Sequence, residues 1–285
     1  MGRSALTDVR VACVEGHPAR ANEDSFVAHS GLLAVLDGVS TPEGLDTGCR
    51  HGTAWYAGRL AANLSAWHLS VPDIALSDLL ARAIESVRDD HGGTCDLEHP
   101  GTPQAAVAAL RIGPERCDYL VLGDCTIVLD RAGTVDAVAD RRILGTARAQ
   151  RDLALVGPIG SAEKTERIRA LTLAKRNHVN RPGGYWIAAT DPAAAQQALR
   201  GSLPRTGLGR LTRAALMTDG VSCVVDTYRL TDWRGLLDLA GSRGPDHLVG
   251  LARSAEGADP AGAERPRLKA HDDATIVFRT LPPEV

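Results

Sequence analysis

Short, unbroken apolar runs alternate along this chain with stretches whose apolar residues recur at helical spacing. Leu32 to Leu36 has no polar interruption and runs straight into Asp37-Gly38, the pattern of a buried strand that stops at a carboxylate. Gly38 lets the chain turn sharply there and leaves its carbonyl open to a ligand. Ala105 to Ile112, Asp118 to Leu122 and Thr126 to Leu129 read as successive strands, and Asp130-Arg131-Ala132-Gly133 turns the last of them into Thr134 to Val138. Val9 to Cys13, Tyr185 to Ala189, Ala214 to Met217 and Ala274 to Phe278 complete the expected strands.

Helical spacing appears first at Tyr56, Leu60, Leu64 and Trp67, which share one face. A second helix is expected from Ser77, a good N-cap, to about Asp90, with Leu80, Ala83, Ile84 and Val87 inward. Glu163 to Val179, Ala193 to Leu199, Thr231 to Ala240 and Pro245 to Ala255 are further helices, and Gly257 to Pro266 is a loop. Asp191-Pro192 reads as a helix start, with Asp191 as cap rather than metal ligand. Neither a low-complexity linker nor a tandem repeat divides the sequence, so a single domain over residues 1–285 is expected.

The chemical signal is recurrence. An acidic residue also closes or opens an apolar run at Leu122-Gly123-Asp124, at Met217-Thr218-Asp219-Gly220 and at Asp272-Asp273-Ala274-Thr275, and Asn22-Glu23-Asp24 precedes the Asp37 strand. Carboxylates gathered at strand ends repel one another unless cations fill the space between them. Hard oxygen donors suit Mg²⁺ or Mn²⁺. Two such ions about 3.5–4 Å apart form the usual centre for phosphate-ester hydrolysis. The sequence has neither a Gly-x-x-x-x-Gly-Lys-Ser/Thr phosphate loop nor a Gly-x-Ser-x-Gly nucleophile elbow.

Composition narrows the picture. Aromatic residues make up only 4% of a chain that is 44% hydrophobic, so the core must be built from Ala, Val, Leu and Ile. A net charge of -3 argues against a broad nucleic-acid surface. No apolar run is long enough to span a bilayer, and residues 1–10 lack the apolar core of a signal peptide, so a cytoplasmic protein with no membrane partner is expected. Six cysteines are scattered without a Cys-x-x-Cys pair, which predicts six free thiols and no zinc. Cys49, His51, His91, Cys95 and His99 lie in glycine-rich segments, but their spacing matches no common zinc pattern and reads as loop packing.

In order and wording, Asn22-Glu23-Asp24, Val35-Leu36-Asp37-Gly38, Leu122-Gly123-Asp124-Cys125, Met217-Thr218-Asp219-Gly220 and Asp272-Asp273-Ala274-Thr275 resemble the motifs of the metal-dependent protein phosphatases of the PPM, or type 2C, family. The resemblance runs from Arg20 to Phe278. Gly48-Cys49-Arg50-His51-Gly52 with Trp55-Tyr56 resembles an actinobacterial branch. The family implies an α+β fold, a four-layer αββα sandwich of two antiparallel sheets flanked by helices. It implies a phosphomonoesterase that uses two Mn²⁺ or Mg²⁺ ions and metal-activated water on phosphoserine or phosphothreonine in proteins, with a small phosphorylated metabolite as the alternative substrate and a catalytically silent binding module as the alternative role. By the same resemblance Asp37 bridges the metals, Asp219 and Asp272 hold the first, and Glu23 and the Gly38 carbonyl serve the second. Asp24 orients water, Asp124 joins Asp219 in a third, weaker site, Asp273 stands at a position of the metal motif, and Arg20 binds the phosphate. The chain departs from the family pattern in four places. Arg20 is one residue nearer Asp24, Val39-Ser40-Thr41-Pro42 follows Gly38, Cys125 replaces a serine, and Asp273 stands where many members have asparagine.

Overall fold

The computed structural model describes residues 9–281. The N-terminal reading above therefore lies, up to residue 8, outside the described residues, as does the end of the tail. The order is β1 (Val9–Val14), β2 (Asp24–Ala28), β3 (Leu32–Gly38), α1 (Thr53–Ser70), α2 (Leu76–Asp90), β4 (Ala105–Ile112), β5 (Arg116–Leu122), β6 (Thr126–Arg131) and β7 (Thr134–Ala139). There follow α3 (Arg142–Gly145), α4 (Arg148–Leu155), α5 (Ala162–Arg176), a 3-10 turn (Pro192–Gln197), β8 (Leu199–Pro204), β9 (Arg213–Met217), α6 (Asp219–Asp226), α7 (Trp233–Ser242), α8 (Pro245–Ala258) and β10 (Ala274–Thr280). One sheet has the order β1-β10-β9-β6-β7 and the other β2-β3-β4-β5-β8, antiparallel throughout.

Strand alternation explains the layers. In β3, Leu32, Ala34 and Leu36 face α1 and α2, while Leu33 and Val35 face the other sheet. A strand covered on both sides has no polar face, hence its unbroken apolar run. In β4 the same division puts Val107 and Ala109 under the helices and Ala106, Ala108 and Leu110 between the sheets. Across the interface, Ala214 and Leu216 of β9 and Val277 of β10 meet them. Ala215, Met217, Ile276 and Phe278 point the opposite way, onto Leu236, Leu237, Ala240 and Leu248 of α7 and α8. Helices, sheet, sheet and helices are the four layers that the resemblance implies. Each fully buried leucine of β3 contributes about 1.5–3 kcal/mol of apolar transfer energy.

The expected elements are present with four exceptions. Tyr185 to Ala189 is not a strand: it makes only single bridges, Ala188 with Ala105 and Tyr185 with Val179. The reason is register. β5 pairs with β4 only as far as Leu122 opposite Val107, so only Ala105 and Ala106 are left on that edge, and Ala188 bridges the first of them. Ser77 is not the N-cap of α2: Ala75 is, without a side-chain bond, and the buried Ser77 hydroxyl instead accepts from Arg200 at 3.1 Å. The segment at Ala193 is a 3-10 turn rather than an α-helix, although Asp191 caps it by accepting from the Ala193 N–H at 2.9 Å. Gly38 does not turn the chain. It ends β3 in extended pairing with Ala105, and glycine is needed there for space, since a Cβ would lie 2.5 Å from the Glu23 carbonyl oxygen. Among the described residues, β2, β8, α3, α4 and α6 are elements that the sequence pattern did not announce.

Candidate active site

The acidic strand ends meet at one end of the sandwich, where loops from both sheets converge. Asp24 opens β2 and pairs directly with Asp37 near the end of β3. From the other sheet, β9 delivers Thr218 and then Asp219 at the start of α6, whose backbone N–H lies 3.4 Å from an Asp37 carboxylate oxygen. α6 can start this close to β10 because Gly220 has no side chain: a Cβ there would lie 2.0 Å from the Asp273 carbonyl oxygen.

Thr218 joins the two sheets. It is fully buried, its hydroxyl donates to Asp24 Oδ2 at 2.9 Å, and the same oxygen accepts from the Thr275 N–H of β10 at 3.0 Å. Asp24 is buried as well, and that burial pushes its carboxyl up to about 7 against the lowering effect of the threonine bonds. Asp37 is held well above the usual carboxylate range, first by desolvation and then by repulsion from Asp219, Asp24, Asp124 and Asp272. Asp219 is raised in the same way. The protein crowded around its carboxyl is the largest cause and Asp272 the next, even though the residue is open to solvent at the mouth. Asp124 follows Gly123, whose positive φ of 82° turns the chain out of β5. Its carboxyl is raised by burial, with Lys175 of α5 opposing.

Three further residues of the acidic set are already engaged. Asp273 accepts the Gly16 N–H on one oxygen and the Glu23 N–H on the other, both at 2.7 Å, and so ties the loop before β2 to the start of β10. Glu23 takes the Ser40 hydroxyl on its carboxylate, and burial raises its carboxyl. Asp272 pairs with Lys269 at 2.5 Å, and the same ammonium donates to Ser40 at 3.0 Å. Desolvation works against the charge of Lys269, yet Asp272, Asp219 and Asp37 outweigh it and hold the ammonium above the ordinary lysine range. Behind Asp272, Arg253 donates to its carbonyl at 2.5 Å and to Glu256 at 2.9 Å.

The structure thus gathers Asp24, Asp37, Gly38, Asp219, Asp272, Glu23, Asp124 and Asp273 at one mouth. Arg20 sits on the exposed turn ahead of β2, its backbone N–H bonded to the His17 carbonyl at 3.0 Å, outside the hydrogen-bonded carboxylate network. Sequence reasoning missed Thr218, Ser40, Arg253 and Lys269. Lysine scarcity was an available signal: of Lys164, Lys175 and Lys269, the only three in the chain, the latter two face these acids.

No protein-family model matches the sequence, and no curated protein matches it. Solved structures do. The serine/threonine phosphatase PstP/Ppp of Mycobacterium tuberculosis superimposes with a TM-score of 0.58, covering 96% of this chain and 97% of that one at 14% identity. The catalytic domain of PstP in complex with two manganese ions gives 0.56, covering 95% and 96% at 14% identity. Serine/threonine phosphatase Stp1 of Staphylococcus aureus gives 0.58, covering 99% and 98% at 12% identity. The sandwich described above is the fold of these phosphatases.

Proposed function

We propose that this chain is a divalent-metal-dependent phosphomonoesterase of the PPM type that acts on phosphoserine or phosphothreonine in proteins. The observation that carries the proposal is the meeting of Asp37 from one sheet with Asp219 and Asp272 from the other, with the carboxyls of Asp37 and Asp219 raised by desolvation and mutual repulsion. Such a cluster asks for positive charge, and the Lys269 ammonium pairs with it through Asp272. The donor set is all oxygen, which fits Mg²⁺ or Mn²⁺. Two such ions form the usual centre for phosphate-ester hydrolysis. The solved neighbour with two manganese ions supports the same count.

In this reading Asp37, Asp219 and Asp272 would hold one ion, and Asp37, Glu23 and the Gly38 carbonyl would hold the other. Asp124 with Asp219 offers a further, weaker position. Bound ions would supply Lewis-acid polarisation of the phosphoryl group and an acidified water. The chain's own residues do the rest. Asp24, with a carboxyl raised to about 7, can hold or release a proton near neutral pH, and Thr218 fixes which of its oxygens is committed. Asp273 braces the Glu23 loop through two main-chain N–H groups, a positioning role. Arg20, exposed and three residues before Glu23, is the candidate to bind the incoming phosphate.

The test is hydrolysis of p-nitrophenyl phosphate with and without Mn²⁺, followed by phosphopeptides against a panel of phosphorylated metabolites. Mn²⁺-dependent turnover with a preference for phosphopeptides is expected. Absence of turnover under all metals would leave a silent binding module, and a preference for a metabolite would replace the protein substrate.

A further inference from the structure

We propose that Cys49, His51, His91 and Cys95 form a structural zinc site, remote in kind from the acidic mouth. Among the described residues they are the set of metal-ligating side chains whose donor atoms all lie within 4.8 Å of one another. The expectation of simple loop packing and of no zinc gives way to this convergence. The spacing, Cys-x-His before α1 and His-x-x-x-Cys after α2, resembles no common pattern because the ligands come from two helix ends rather than from a single knuckle.

The edge lengths suit one tetrahedral ion. Zn–S of about 2.3 Å and Zn–N of about 2.0–2.1 Å at tetrahedral angles give sulfur–sulfur edges of about 3.8 Å and sulfur–nitrogen edges of about 3.6 Å. The two Sγ atoms are 3.5 Å apart, and His51 Nδ1 lies 3.7 Å from Cys49 Sγ and 3.4 Å from Cys95 Sγ.

A second observation is independent of the cluster's shape. His91 is only 3% exposed, and its Nδ1 bonds the Val87 carbonyl at 2.8 Å. That bond makes Nδ1 the protonated nitrogen and leaves the Nε2 lone pair as an acceptor. Nε2 is buried and has no hydrogen-bond partner. An orphaned buried acceptor carries a cost that a metal removes, and a backbone carbonyl on the other ring nitrogen is the usual way to orient a zinc histidine. Trp55 holds both rings, stacked on His51 at 4.2 Å and edge-on to His91 at 4.8 Å. The His51 backbone N–H donates to Cys49 Sγ at 3.4 Å and so helps to orient that sulfur.

Four protein ligands leave no open position, so the site is structural rather than catalytic. It would rivet the segment just before α1 to the end of α2. α1 in turn bears on β3, since the Thr53 hydroxyl donates to the Val39 carbonyl at 3.2 Å. His99 stands outside the set, with its Nε2 3.8 Å from Asp46.

The test is elemental analysis of the full chain purified under reductant, for wild type, Cys95→Ser, His91→Gln and Asp37→Asn, with Co²⁺ substitution as the spectroscopic arm. About one zinc per chain is expected in wild type and in Asp37→Asn, with loss of most of it in Cys95→Ser and His91→Gln. Co²⁺-loaded wild type should show the intense ligand-field bands and the sulfur-to-cobalt charge transfer of a tetrahedral thiolate site. Should Cys95→Ser fail to fold, Cys95→His, which keeps four ligands, should retain zinc while its charge-transfer band weakens. Three results would overturn the proposal: wild type without zinc even after dialysis against it, a Cys49–Cys95 disulfide with four titratable thiols, or zinc that leaves with Asp37→Asn and stays in Cys95→Ser.

Discussion

Replacing Thr218 by valine keeps the shape of a fully buried side chain and deletes a hydroxyl that serves both sheets at once. In the wild type this hydroxyl donates to Asp24 Oδ2 at 2.9 Å and accepts from the Thr275 N–H at 3.0 Å. Valine leaves the N–H of Thr275 and one oxygen of Asp24 without a partner in a place water does not reach. A buried polar group stranded in this way costs about 1–3 kcal/mol. Asp24 keeps a second bond, from the Thr275 side chain, so the expected total is about 2–4 kcal/mol rather than the full sum. At about 2–4 °C per kcal/mol for a chain of this size, Tm should fall by about 4–16 °C. Thr218→Ser keeps the hydroxyl and loses one methyl, which should cost only about 1 kcal/mol. The assay is thermal unfolding in chelator, beside kcat at saturating Mn²⁺, where the valine variant should also lose turnover as Asp24 loses its fixed orientation. A valine variant that melts within about 1 °C of wild type, or a serine variant that falls as far as valine, would refute the argument that this bond staples the sheets.

Further perturbations probe the mouth from other sides. Asp37→Asn should lower kcat by at least about 10²–10³, and Mn²⁺ should raise its Tm far less than it raises the wild type's; paired melts with and without metal decide it. Arg20→Ala should raise KM markedly and lower kcat less, because the phosphate is already bound in the ground state, and an unchanged KM would move that role to another arginine. Lys269→Met removes the internal counter-charge of Asp272, so the metal-free protein should melt lower while half-maximal activation needs less Mn²⁺, as read from a metal titration. The pH dependence has a definite sign. Asp24 titrates at about 7 in the folded chain and near the ordinary aspartate value when unfolded, so the folded state holds the extra proton between those limits. The stability it contributes is complete below about 4 and is lost as pH rises through about 7. Metal-free Asp24→Asn should therefore gain on wild type in Tm as the buffer moves from pH 5 to pH 8, and a constant difference would count against the raised value.

The sequence exposed those parts of the molecule where one face is uniformly apolar. Helix α1 was legible because Tyr56, Leu60 and Leu64 are all buried against a sheet, and β3 because both its faces are covered. β2 was not, since its first residue is a buried carboxylate that reads as loop and its Phe26 is 40% exposed. β8 is an edge strand containing Gly201 and Pro204, the residues that ordinarily argue against a strand. α6 was hidden because Asp219-Gly220 carries the signature of a turn, whereas Gly220 is there for close approach to Asp273. In the candidate site, strand-end acids could be picked out one by one. What a linear reading could not supply was the set of uncharged partners, Thr218 and Ser40, because their roles depend on which acids stand opposite them. The same limit hid the convergence of Cys49 and His51 with His91 and Cys95, which needs the antiparallel packing of α1 against α2.

The pairing of β1 with β10 sets the order in which this protein can become competent during synthesis. β1 is the first described strand, yet its neighbour in the sheet is the last, residue against residue from Val9 with Arg279 to Val14 with Ala274. Asp272 and Asp273 stand just ahead of that closing strand. Until β10 leaves the ribosome, β1 has no partner strand, Thr218 has no main-chain donor from residue 275, and the Glu23 loop lacks the carboxylate that ties it down. A nascent chain can fold β2 to β5 with α1 and α2 early, but its acidic mouth closes only with the final strand, so a chain stopped short of residue 274 should be inert however much of it is folded.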